Sequence, residues 1–277
     1  MANKQTIDIE RSLKGFFELP DWMERSLMLG GSYAVLYIIY FFLIIILIIP
    51  FIGWVIGCCG FIFIIIAALA MWIYTIGYKY ELIKAEMLGT PYTKIKVFEN
   101  FNERFQHGAK IFVANLVYSI PTIILYVIGY ALMFLPMGML GSLGSSDNDY
   151  LGFMAFPSMF LMLLGYVPIG IAVIYQMFQS FFITPSITAM YAKEQSISAM
   201  LQFGKVWIFI KENFINLLLL LALTMGTGFI IYFASMISSF LILLCIGIIL
   251  LPAVFAIGLT FIIHMQASII GQICKQN

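Results

Sequence analysis

The sequence predicts an all-α integral membrane protein of six spanning helices laid out as three hairpins. Three observations carry that reading. First, hydrophobic residues make up 63% of the 277 positions and charged residues only 10%, where a soluble chain carries roughly 25%. Too little polar side chain exists to cover a water-facing surface, so lipid is the natural solvent for most of the chain. Second, three tracts hold no Lys or Arg: Ser26 to Tyr78, Ile111 to Ala192 and Glu212 to Cys274. Each is far longer than the ~20 residues that one crossing requires. Third, each tract has a break near its middle. The breaks are Pro50 with Gly53, the run GMLGSLGSSDNDYLG from Gly138 to Gly152, and Ser235 to Ser239, with Gly247 or Pro252 as alternative positions for the third bend.

The expected spans are Leu27–Ile49, Trp54–Tyr78, Ile111–Leu135, Met159–Thr184, Phe214–Ser235 and Leu241–Ser268. Helices are required because unbroken apolar runs lack the period-two alternation of a barrel strand, and a helix satisfies its own backbone in lipid.

All fourteen basic residues lie outside these spans. Lys4, Arg11, Lys14 and Arg25 precede the first. Lys79, Lys84, Lys94, Lys96, Arg104 and Lys110 follow the second. Lys193, Lys205 and Lys211 follow the fourth, and Lys275 follows the sixth. The positive-inside rule therefore places the arm 1–25, the loops 79–110 and 185–213 and both termini in the cytoplasm of a multi-pass cell-membrane protein. A net charge of +1 supplies no field for nucleic acid. Met1 to Arg25 contains no apolar core with a cleavage site, so the first span is expected to act as an uncleaved insertion signal.

In the N-terminal arm, Ile9, Leu13, Phe16 and Phe17 recur at helical spacing, which predicts a short amphipathic helix on the inner leaflet. Pro20 ends it, Asp21 caps the next helix, and Trp22 and Arg25 sit at headgroup level.

The loop 79–110 carries more content. Thr90 and Pro91 form a helix-start signal. Ile95, Phe98, Phe101 and Phe105 then recur at steps of three and four, which predicts an amphipathic elbow helix from Pro91 to about His107. Two readings stand: an interfacial helix resting its phenylalanines on lipid, or a docking site for a protein partner. A weak echo links FQHGAKIFVANLVYSIPTII, from Phe105, with LQFGKVWIFIKENFINLLLL, from Leu201. It reads either as a duplicated elbow unit or as two loops obeying the same membrane-entry chemistry.

Chemistry is sparse. No Asp, Glu, Lys or Arg falls inside an expected span, and an ion-coupled pump ordinarily keeps such groups. His264 is the one histidine there, read as bonded to a neighbour. His107 is read as solvated. Two histidines leave little material for a metal site or a catalytic dyad, and no HExxH, GxSxG or Walker pattern occurs. Asp147 and Asp149 read as a solvated turn. No cofactor is expected. Asn115, Gln176, Gln179 and His264 are the candidate lining of a polar cavity; the plainer reading is bonding between helices. Gly53 and Gly57, extended by Gly60, form a close-packing face for a helix of this chain or of a second copy. Cys58, Cys59, Cys245 and Cys274 read as apolar filler, with a disulfide only where helices bring two together.

The runs PDWMERSLMLGG (Pro20 to Gly31), GYKYELIKAEMLGTP (Gly77 to Pro91) and FNERFQHGAKIFVANLVYSIP (Phe101 to Pro121), with the stretch Thr184 to Leu220, resemble the prokaryotic membrane family called domain of unknown function four thousand and thirteen. A Pro-Asp-Trp entry, a Gly-Tyr exit, a proline-started elbow and a Gly-x-Lys entry carry the resemblance. Tyr92 stands where that pattern has tryptophan. More distantly, the order of features is similar to the membrane domain attached to some glycerophosphodiester phosphodiesterases, whose activity is not carried over. The closer family implies no activity, substrate or catalytic residue. The sequence thus leads to a non-enzymatic membrane module or accessory component of a membrane assembly. The alternative is a transporter or lipid-handling protein with a polar cavity.

Overall fold

A computed structural model describes residues 7–49, 52–143, 148–241 and 247–276. Every regular element in it is helical. The order is α1 (Ile9–Lys14), α2 (Trp22–Arg25), α3 (Gly31–Ile46), α4 (Ile52–Leu88), α5 (Phe101–Leu143), α6 (Asn148–Phe178), α7 (Thr184–Glu194), α8 (Ile197–Met200), α9 (Phe203–Glu212), α10 (Phe214–Phe240) and α11 (Gly247–Gln276). Single π turns at Ser26–Gly30 and Gln179–Ile183 join α2 to α3 and α6 to α7.

Six helical stretches are long and apolar enough to cross a membrane: Trp22–Ile46, Gly53–Leu88, Phe101–Pro136, Pro157–Glu194, Phe214–Phe240 and Leu250–Gln276. Their outward surfaces are paved with exposed apolar side chains such as Val55, Ile66, Ile174, Ile215 and Ile230, which lipid rather than water accommodates.

The chain forms two compact units. The first comprises residues 1–113 and 185–277. Its centre is α11, which packs against α10, α4, α3, the π turn before α3, and α1. Small residues permit that contact. A Cβ on Gly271 would lie 2.5 Å from the Glu86 Cβ, and one on Gly30 would overlap the Ala256 backbone. Gly77 and Gly108 do the same for α4 and the start of α5: a Cβ on either would strike the other helix's carbonyl, Arg104 or Ile73. Gly53, Gly57 and Gly60 seat α4 on Ile46, Leu47 and Leu43 at the end of α3, so this glycine face is used within the chain.

The second unit comprises residues 114–184. Here α5 and α6 approach at Gly129 and Gly165, where an added Cβ would lie 2.9 and 2.7 Å from the opposing carbonyl.

Several expectations are corrected. The arm does not rest on lipid alone. Ser12 bonds Ser268 at 3.1 Å, the Asp8 amide donates to Gln272 at 2.7 Å, and Phe16 is buried beside Phe261 and His264. Asp21 makes no side-chain cap bond; it pairs with Arg25 at 2.8 Å, and Arg25 is buried within the protein. Helix α4 continues ten residues past Tyr78. It stops in a Schellman arrangement: Gly89 is left-handed (φ +70), the Thr90 amide reaches the Ala85 carbonyl at 2.9 Å, and Gly89 reaches Glu86 at 3.3 Å. Thr90 therefore closes the helix before it.

The expected elbow helix from Pro91 is absent. A 3-10 turn at Tyr92–Lys94 is followed by irregular chain, and helix resumes at Phe101 as the start of α5. Ser235 to Ser239 lie inside α10, which ends after Phe240. Pro50, Asp147 and Cys245 lie outside the described residues, as does the 144–147 portion of the Gly138–Gly152 run.

Candidate functional site

The residues with the most chemistry meet at one end of α4. Tyr74, Tyr78 and Glu81 lie along this helix at steps of four and three, which keep them on one face, and Glu86 follows five residues on. Glu86 is the hub. Its side chain is 1% exposed, and three segments converge on it. Arg11 from α1 donates to Oε2 at 3.1 Å, and Tyr92 donates to the same oxygen at 2.8 Å. Oε1 has ionic contacts with Arg11 at 3.1 Å and Lys275 of α11 at 3.8 Å, without hydrogen-bond geometry to either. A buried carboxylate demands such partners. Burial raises the Tyr92 phenol well above its usual range and the adjacent Glu86 adds to the effect, so the phenol stays a donor.

Arg104, near the start of α5, anchors the irregular segment before it. Nε donates to Glu81 at 2.7 Å and Nη2 lies 2.6 Å from the same carboxylate. Nη1 donates to Tyr74 at 3.0 Å, to the Lys96 carbonyl at 2.6 Å and to the Val97 carbonyl. The planar fork thus takes over carbonyls that no helix satisfies. Tyr74 also donates to the Val97 carbonyl. Against its ring stack Phe98 and Phe101, at 5.8 and 4.8 Å between centroids, and Phe101 stacks on Phe105 at 6.1 Å. Phe98 and Phe101 remain 45% and 52% exposed. Beside them, Asn100, Phe101, Asn102, Glu103 and Gln106 line a shallow open groove.

A third group surrounds Tyr78. Arg25 donates to its hydroxyl at 3.2 Å and to the Tyr92 carbonyl at 3.0 Å. His264 Nε2 bonds the same hydroxyl at 3.0 Å. The Arg25 hydrogen bond holds the Asp21 carboxyl below the usual carboxylate range, against the opposing effect of burial.

The sequence-predicted residues are distributed as follows. His264 belongs to the Tyr78 group, bonded to a hydroxyl as expected. Asn115 and Gln179 meet in the second unit: Gln179 donates to the Asn115 carbonyl at 3.0 Å and to Ser119 at 2.7 Å, and Thr184 donates to Asn115 Oδ1 at 2.8 Å. Gln176 accepts from Tyr126 at 3.0 Å. Phe98, Phe101 and Phe105 are brought together around Tyr74, while Ile95, half-buried, closes the 3-10 turn. His107 is not solvated; it bonds the Tyr191 hydroxyl at 2.7 Å and stacks on Tyr80 at 4.6 Å. Cys58 and Cys59 are free and exposed, and Cys274 is free and buried. Glu86, Arg104, Tyr74 and Tyr78 have no expected site role in the sequence, and Arg25 is expected there only at headgroup level. Their signal was the continuation of helical spacing through Tyr74, Tyr78, Glu81 and Ala85 into the charged stretch.

Among the described residues, no three His, Cys, Asp or Glu side chains converge as a metal-binding group. The fold and these buried polar groups define a helical membrane protein with six apolar helices of spanning length. A family model described as "Protein of unknown function (DUF4013)" matches residues 59–240, and the chain belongs to that family. The match takes in the Arg104 and Tyr74 anchor and the Glu86 hub, but not Arg11 or Lys275, which complete the hub from either end of the chain. Comparison with curated proteins and with solved structures returned no match.

Proposed function

We propose that this protein is a non-enzymatic membrane module, an accessory component of a membrane assembly, that presents a fixed aromatic platform to a protein partner. Its six helices form three hairpins in the cell membrane, with both termini and the loops 79–110 and 185–213 in the cytoplasm. The observation that carries this reading is the pair Phe98 and Phe101. Both are about half exposed, yet both are stacked on a tyrosine that Arg104 and the Val97 carbonyl hold in place. Exposed aromatics on a rigid support lose little conformational entropy on docking, which is how anchor residues gain affinity.

The charged groups support the same reading. Glu81 is engaged with Arg104, Glu86 with Arg11, Tyr92 and Lys275, and Arg25 with Asp21 and Tyr78, as structural bonds rather than poised acids and bases. The bonding of Asn115, Gln176 and Gln179 to neighbouring residues favours a packed bundle over the alternative of a transport cavity. The test is purification in gentle detergent of the intact protein and of a Phe98→Ala, Phe101→Ala double variant. Proteins recovered with the first and lost from the second, at equal membrane insertion, support the module. An identical set of companions, or none from either, overturns it.

A further inference from the structure

Lys79 carries a charge that no neighbouring acid balances. Its ammonium donates to Gln266 Oε1 at 2.6 Å, and Gln266 Nε2 donates onward to Thr224 Oγ1 at 3.2 Å. Among the described residues no carboxylate lies within 4.0 Å of it. The two acids that follow it on α4 are engaged elsewhere, Glu81 with Arg104 and Glu86 with Arg11, Tyr92 and Lys275. Lys79, Gln266 and Thr224 come from α4, α11 and α10, and all three are half-buried.

The hydrogen-bond inventory of this group is lopsided. Gln266 has both its carbonyl and its amide in use. The ammonium has three donors and one bond, and the Thr224 hydroxyl accepts from Gln266 while its own hydrogen serves no described acceptor. What remains is one positive charge with two unused N–H donors, beside the second Gln266 amide hydrogen and the Thr224 hydroxyl hydrogen, so unused donors from three helices surround the charge. That is the chemistry of an oxyanion site. Its surroundings select the anion. Lys79 is the first charged residue after the apolar run of α4, and Met225, next to Thr224, and Leu218, earlier on α10, are exposed apolar side chains. A cation at the edge of a lipid-facing surface meets headgroup phosphates.

We propose that Lys79 and Thr224, with Gln266 orienting the lysine, bind a phosphate oxyanion carried by a lipid headgroup. This site is separate from the Phe98 and Phe101 platform and does not depend on that platform's role. It is tested by native mass spectrometry of the full chain taken from nanodiscs of phosphatidylcholine alone or with phosphatidylglycerol. A second arm measures thermal shift by inorganic phosphate in lipid-free detergent.

Lys79→Gln keeps a polar partner for Gln266 and removes the charge. It is expected to lower retained phospholipid about tenfold, the value of one charge-assisted hydrogen bond. Lys79→Arg should stay within about threefold of the unaltered chain, and Thr224→Val should lose about threefold, as for one neutral hydrogen bond. Lys94→Gln, which removes an exposed charge, should change nothing. A Lys79-dependent shift by inorganic phosphate without retained lipid supports the oxyanion site with a soluble source. Equal lipid retention and equal phosphate shift in Lys79→Gln and the unaltered chain overturn the proposal. If Lys79→Gln does not fold, the same equality in Thr224→Val overturns it.

Discussion

The Tyr92 hydroxyl donates to the Glu86 carboxylate at 2.8 Å, and this bond fastens the segment after α4 to the helix it has just left. The same carboxylate receives Arg11 from α1 and Lys275 from α11. One buried acid therefore ties together segments from both ends of the chain. Removing the Tyr92 donor by Tyr92→Phe should cost about 1.5–3 kcal/mol, the range for a hydrogen bond to a charged group. Glu86→Gln should cost a similar amount. It unpairs two cations, but Arg11 and Lys275 are 56% and 36% exposed and regain water. The measurement is the unfolding midpoint in detergent, with a drop of several degrees expected for each.

Arg104→Lys tests the anchor of the irregular segment. A lysine reaches as a point charge and cannot hold Glu81, Tyr74 and two carbonyls together. Hydrogen exchange in residues 95–100 should rise at least tenfold, while α10 stays protected, because freed carbonyls release the turn locally. Unchanged exchange would show that the fork does not hold the segment.

Glycine substitutions separate contact from open surface. Gly108→Ala drives a methyl into the Ile73 carbonyl and should cost about 1–3 kcal/mol. Gly226→Ala, where no atom lies within 4 Å of the added Cβ, should be neutral or stabilising by up to about 1 kcal/mol. Paired melting curves decide it; equal effects would contradict the close approach of α4 and α5.

Acid should weaken the Arg25 group. The folded Asp21 carboxyl is held low by Arg25, so its stabilising contribution is complete above the unfolded value of about 3.9 and is lost as pH falls through the lower folded value. The melting temperature should therefore decline below about pH 4. Asp21→Asn should start lower at pH 7 and decline less. A parallel decline in both would remove Asp21 as a contributor.

The apolar tracts revealed the helical class and the number of candidate spans, because a run that long has few other solvents. Their breaks were located only roughly, since Ser235 to Ser239 are compatible with a membrane helix. The helix ends on the basic side are hidden for a different reason. Lys79 to Glu86 look like a loop when charge is taken to mean water, yet α4 carries them inward and Arg11, 75 positions away from Glu86, neutralises the cost. Tyr78 and His264 are separated by 186 positions. Partners at such distances leave no local pattern. Ile95, Phe98, Phe101 and Phe105 did show helical spacing, but Gly89 and the Thr90 amide close the preceding helix, and Arg104 holds the carbonyls of Lys96 and Val97, which ends any helix there.

Orientation is the measurement on which the proposed module most directly depends, since the Phe98 and Phe101 platform serves a cytoplasmic partner only if the basic loops face inward. Green fluorescent protein and alkaline phosphatase, fused separately after Asn277, read out the two sides. The first fusion should be fluorescent and the second inactive, with the same pattern for fusions inserted after Asn102. Phosphatase activity at either position, with loss of fluorescence, would contradict that orientation.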